Sequence, residues 1–207
     1  ISLLVAIPLG IGAAIYLVEY AGKGNKLVEV VRVTAETLSG IPSIVYGLFG
    51  SLFFVKFMEL GMSLVSGALT LSIMILPLIM RSSEEALLAV PISYREGSFG
   101  LGAGKLRTVF KIVLPSAIPG ILSGIILGIG RVVGESAALI FTAGTVAEVA
   151  TSLMDSTRTL AVHMYTISGE GLYINQTYAT AVVLLVLVIV INTISEMIAK
   201  RLGGRNE

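Results

Sequence analysis

The sequence predicts an all-α fold, a polytopic bundle of membrane-spanning helices. Three observations predict it. Only 13% of the residues are charged, against roughly 25% in soluble domains, and 55% are hydrophobic. The apolar residues gather in five runs, each at or near the roughly 20 residues that span a hydrocarbon core of about 30 Å. The Lys and Arg residues between the runs fall mostly on one side.

Composition also narrows the function classes. A net charge of +1 supplies no field for nucleic acid. With no cysteine and a single histidine, His163, there is no basis for a disulfide, a thiolate site or a resident metal. No nucleophile, base and orienting group can be assembled, so catalysis is not expected.

The first run extends from Ile1 to about Glu19. It opens within apolar sequence and without an initiator Met, so a further N-terminal helix is expected ahead of it. The second, about Leu38 to Val55, contains SGIPSIVYG, with Pro42 among small residues. Breaks in membrane helices occur where backbone lines a cavity or is buried in protein. Here Ser39 and Ser43 are candidates to offer hydroxyls to an anion; the other reading is a packing kink. The third run is about Ser63 to Met80, the fourth about Ala117 to Phe141 and the fifth about Tyr178 to Ile198. Near the end of the fifth, Glu196 and Lys200 are expected to form a surface pair.

Sidedness follows from the basic residues. Lys23, Lys26 and Arg32 separate runs one and two; Arg81, Arg95, Lys105, Arg107 and Lys111 separate three and four; Lys200, Arg201 and Arg205 follow run five. Only Lys56 and Arg158 fall on the other side, so the count is eleven against two. The basic side, with the C-terminus, is expected to be cytoplasmic.

The segment of about 83–114 is long and polar, yet patterned as a helical hairpin. Pro91 ends the helix before it. Ser93 and Glu96 have capping-box spacing, with Ser93 as the expected N-cap. Gly100, Gly102 and Gly104 predict a turn, and Val109, Ile112 and Val113 repeat at helical spacing. GLGAGKL at 100–106 is not a nucleotide loop. Phe99 stands where the first glycine is required, Leu106 replaces the hydroxyl, and a helix precedes it. A hairpin of this kind cannot sit in lipid and buries little alone, which points to docking on another protein.

Run four carries Arg131 and Glu135. As one helix it places Gly120, Gly124, Gly128, Arg131 and Glu135 on a single stripe. Glycines at this spacing let another helix approach closely, and the charges at i and i+4 are within mutual reach. Counting from Ala117 at 1.5 Å per residue puts Arg131 about 21 Å into the membrane, toward its outer half. The stripe is either a structural ion pair or a transit site for an oxyanion, which a guanidinium binds by paired hydrogen bonds. In the second reading Glu135 tempers the affinity of Arg131 or, protonated, donates to the anion. The region of about 142–177 is expected to face outward, with LAVHMYTI lying at the interface or folding back.

The hairpin resembles the coupling loop of the membrane subunits of bacterial ABC importers. Their pattern is E-A-A, three residues, G, nine residues, then I-x-L-P. Here Glu96-Gly97-Ser98, Gly102 and Ile112-Val113-Leu114-Pro115 keep the spacing, with Gly97 and Ser98 replacing the two alanines. Over nearly the whole chain, IPLGIGAAIYLVEYA, VPISYREGSFGLGAGKLRTVFKIVLPSAIPGIL and GRVVGESAALIFTAG are similar to phosphate permeases of the PstA type. The resemblance implies one permease domain over 1–207, with about five spans present and the first family helix absent. It implies inward phosphate transport driven by ATP, in the cytoplasmic membrane. It implies a second, PstC-type permease, two ATP-binding subunits that hold ATP and Mg, and an external phosphate-binding protein; this chain itself would hold no cofactor. It implies ATPase coupling through Arg95, Glu96, Gly97, Ser98, Gly102 and Lys105, and a transport role for Arg131 and Glu135. Sulfate or molybdate is the alternative cargo, and an ATPase-independent secondary transporter the alternative class.

Overall fold

The computed structural model describes residues 1–21 and 24–203. Lys23 and Arg205 lie outside the described residues, as do the side chains of Lys200 and Arg201, and with them the expected Glu196–Lys200 pair. Among the described residues all regular structure is helical: α1 Ser2–Ile15, α2 Lys26–Ser39, α3 Ser43–Gly50, α4 Leu64–Leu88, α5 Ile92–Gly100, α6 Lys105–Thr108, α7 Leu114–Gly134, α8 Ala137–Thr142, α9 Leu160–Glu170 and α10 Ile174–Gly203. Wide π turns prolong α1 over Tyr16–Tyr20 and α3 over Ser51–Phe57, and a third, Val109–Val113, joins α6 to α7. Four of the resulting rods are long and apolar enough to span a membrane, and the bent pair α2–α3 makes a fifth.

α4 is the central helix, packed by α1, α2, α3, α7 and α8. Ser63 starts it, its hydroxyl accepting the Ser66 N–H at 3.2 Å. Two further N–H groups at this end donate to the loop after α8, Leu64 to the Asp155 carbonyl and Val65 to that of Leu153, each at 3.1 Å. The core follows α4: Leu71, Met74, Ile75 and Ile79 are buried with Ala6, Tyr46, Ala138, Leu139 and Val162. α10 keeps most of its apolar side chains exposed, as a helix facing lipid or another subunit does.

Three expectations are corrected and one is made definite. The break expected at Pro42 is a bend of 103° between α2 and α3, because Pro42 sits at the N-cap of α3 with extended ψ and cannot continue α2. α5 begins at Ile92 behind Pro91, so Ser93 lies inside the first turn and does not cap the helix. The second arm of the hairpin is no separate helix, since Lys105 to Gly134 is one continuous rod. Run four stops at Gly134: Glu135 is extended, with ψ 128°, and a short helix follows.

α7 lies against α4 through glycine. A Cβ on Gly124 would sit 1.9 Å from the Ser82 hydroxyl oxygen and 2.4 Å from its Cβ. Gly124→Ala is therefore expected to push the two helices apart at a cost of about 1–3 kcal/mol. Thermal unfolding in detergent checks this, with Gly130→Ala as control, because nothing lies within 4 Å of a Cβ there.

In the loop after α8, Asp155 accepts the N–H groups of Thr151 and Ser152, each at 2.8 Å, and the Thr151 hydroxyl at 2.9 Å. These bonds, the Ser152 N–H first, hold its carboxyl below the usual aspartate range. A depressed value means the turn gains stability above the unfolded pKa of about 3.9 and loses it as pH falls through the folded one. The protection of the Thr151 and Ser152 amides, taken relative to their intrinsic exchange rates, is expected to fall in that acid window. In Asp155→Asn this pH dependence should vanish.

Candidate functional site

Arg131 is positioned by the packing of α7 on α4. Gly120 faces Ala86, Gly124 faces Ser82 and Gly128 faces Ile79. Arg131 follows by about one turn on the same helix, beyond Gly128.

The expected Arg131–Glu135 pair is not present. Among the described residues the ion pairs are Arg32–Glu84, Arg81–Glu36 and Arg95–Glu19. Gly134 ends α7, so Glu135 leaves the stripe. Buried, it accepts the Ala138 N–H at 3.1 Å and caps α8. Arg131 is half-buried and, among the described residues, spends no donor on a protein acceptor. A cation at this depth with its donors unspent is able to receive an anion.

The bend at Pro42 adjoins this site. Tyr46 is buried, and its hydroxyl donates to the Leu38 carbonyl at 2.7 Å, tying α3 to the end of α2. Tyr46, Ile75 and Ala138 share a cluster on which Ile41 and Val132 pack. A Cβ on Gly47 would lie 2.8 Å from the Ala138 Cα, so α3 and α8 approach backbone to backbone. Ser39 is exposed, and its hydroxyl donates to the Glu36 carbonyl at 2.7 Å. Ser43 is half-buried at the start of α3. The structure thus gathers Arg131 and the bend, turns Glu135 to α8, and commits Ser39 to its own backbone.

The hairpin is a second feature. Arg95 points inward: its guanidinium donates twice to Glu19, at 2.8 and 3.0 Å, and to the carbonyls of Leu87 and Val90, each at 2.9 Å. Ser98 is buried and shares a hydrogen bond with Thr108 at 2.8 Å, clasping the two arms. The Lys105 ammonium lies 5.2 Å from the centre of the Tyr20 ring. Glu96, Gly97 and Gly102 are exposed on the outer surface, and Gly102 has a left-handed φ of 81°. Glu19, Tyr20 and Tyr46 were missed in the sequence. The one signal was a lone acid, Glu19, at the end of an apolar run.

α2 is held to α4 by charge. Glu84, its side chain 10% exposed, accepts from Arg32 Nε at 2.7 Å, and Arg81 lies 3.6 Å from Glu36.

Residues 6–205 match the family described as binding-protein-dependent transport system inner membrane component. The chain belongs to this family. Among its relatives, the probable ABC transporter permease protein YqgI of Bacillus subtilis is 40% identical over 185 residues, covering 83% of this chain and 63% of YqgI. The phosphate transport system permease protein PstA 1 of Mycobacterium tuberculosis is 42% identical over 144 residues, covering 70% of this chain and 46% of that one. The chain thus spans about half to three-fifths of the length of these relatives. In fold it is similar to a chain of the MetNI methionine ABC transporter in an inward-facing conformation. The TM-score is 0.75 with 22% identity, over 97% of this chain and 87% of that one. The architecture is therefore that of an ABC importer permease, a multi-pass membrane protein of a family whose members are not themselves enzymes.

Proposed function

We propose that this permease moves inorganic phosphate inward across the cytoplasmic membrane, with the hairpin and the C-terminus on the cytoplasmic side. The observation that carries the reading is Arg131, a half-buried cation within a membrane-spanning helix whose guanidinium makes no hydrogen bond or ion pair among the described residues. Similarity to a PstA permease supports phosphate as the cargo. In this reading an external binding protein delivers the anion and a PstC-type second permease completes the passage. Two partner ATPases bind ATP and Mg and grip the hairpin by Glu96, Gly97 and Gly102. Arg95, Ser98 and Lys105 stiffen that grip from within. ATP binding favours one access state, since only a differential affinity shifts the equilibrium. Phosphate meets the Arg131 guanidinium, with Ser43 as a candidate second contact, and Glu135 fixes the backbone beyond it. The test is ATP-dependent phosphate uptake by the full-length protein with its partners in proteoliposomes, with sulfate and molybdate as competitors. Uptake that these anions leave untouched supports phosphate. Preferential uptake of either reassigns the cargo, and uptake without ATPases removes the importer reading.

A further inference from the structure

The Tyr46 hydroxyl occupies an unusual position. It is buried in the core, beside the segment that carries Arg131, and its single donor goes to the carbonyl of Leu38 across the bend. That carbonyl has a second partner, the Ile41 N–H at 3.1 Å. Losing Tyr46 would therefore not orphan it, and the usual penalty for an unpaired buried acceptor is avoided. A charged acceptor makes a hydrogen bond roughly twice as strong as a neutral one. We propose that Tyr46 is a switchable second donor of the anion site: an oxyanion held by Arg131 takes the Tyr46 hydroxyl from the Leu38 carbonyl, so that occupancy loosens the bend between α2 and α3. This rests on the oxyanion reading of Arg131.

The consequence reaches beyond the site. α2 bears Arg32 and Glu36, which hold Glu84 and Arg81 of α4. The far end of α4 supplies the Leu87 carbonyl that Arg95 of the hairpin grips. A bend freed at Gly40–Pro42 acts on a helix tied by charge to the helix that anchors the hairpin. Occupancy at Arg131 and the hairpin are then linked through contacts already in place, with Tyr46 as the first of them.

The experiment compares Tyr46→Phe with wild type in the full-length transporter in proteoliposomes, with inorganic phosphate as the probe. The variant keeps the ring and its packing. Assembly is expected to be unchanged, while uptake at sub-saturating phosphate falls about tenfold, the size of one hydrogen bond to a charged group. In wild type, phosphate is expected to speed amide exchange over residues 38–43. Wild-type uptake by the variant overturns the proposal, and so does exchange at 38–43 that phosphate leaves unmoved in a transporting wild type. If the variant fails to assemble, the exchange measurement on wild type decides. A wild type that imports no phosphate overturns the phosphate reading; both measurements are then repeated with sulfate, and a protein that carries neither anion overturns both.

Discussion

Arg131→Met is expected to abolish phosphate uptake without weakening the bundle. The two halves of that statement separate a transit site from a structural cation. An Arg inside a membrane helix costs roughly 2.5–3.5 kcal/mol on insertion scales. A structural Arg recovers that through partners, and its loss then leaves those partners unpaired. Among the described residues Arg131 has no ion pair or hydrogen bond, so replacing it by Met removes a cost and strands nothing. Thermal stability should be equal or higher. For transport the guanidinium is expected to supply two charge-assisted hydrogen bonds, each worth about 1.5 kcal/mol or more, so uptake should fall at least about a hundredfold. Arg131→Lys keeps the charge and loses the planar fork, and should retain a few per cent to a third of the rate, on the order of one bond's worth. Glu135→Gln is expected to be mild, because an amide oxygen also accepts the Ala138 N–H; a working Arg131–Glu135 pair would instead make it severe. A Met variant that is unstable, or one that transports normally, would make Arg131 structural.

How far the sequence foretold this arrangement depends on the range of the interaction. α4 and α10 were legible because a long apolar run needs only hydropathy, and Ser63 marked the start of α4 as a hydroxyl cap should. The bend at Pro42 was legible as a break, but its 103° angle was not, since hydropathy carries no direction. The end of α7 was missed because AALIF after GES keeps the run apolar to Phe141, while Gly134 and the capping demand of α8 stop the helix earlier. That single misplaced boundary created the expected Arg131–Glu135 pair. Arg95 was legible as part of a hairpin motif, but its inward orientation was not. Its acceptor, Glu19, lies 76 residues away, a separation at which local pattern says nothing.

Arg95 carries the second large prediction. Its side chain is 16% exposed and that of Glu19 8%, so both ions are largely out of water. The guanidinium also satisfies the Leu87 and Val90 carbonyls, from the end of α4 and the link to α5. Arg95→Ala would leave a buried carboxylate and two carbonyls short of a partner, a loss of about 3–5 kcal/mol. Thermal unfolding of the full-length protein should show it directly. Glu19→Gln keeps an acceptor oxygen and should cost less than half as much. The combined Arg95→Met/Glu19→Leu variant removes both charges and fills their space, so its stability should recover most of the loss. Additive single losses in that double-mutant cycle would mean that the two residues act separately. Transport should behave differently. The double variant restores packing but not the four directed bonds that fix α5 to α1 and α4, so a hairpin pulled by ATPases would slip against the helices it is meant to move. The expected result is a stable, assembled transporter that hydrolyses ATP at close to the wild-type rate and imports at a small fraction of it. Import restored together with stability would assign Arg95 to folding alone, and the hairpin's grip on the bundle would then have to run through Ser98, Thr108 and the Lys105–Tyr20 contact.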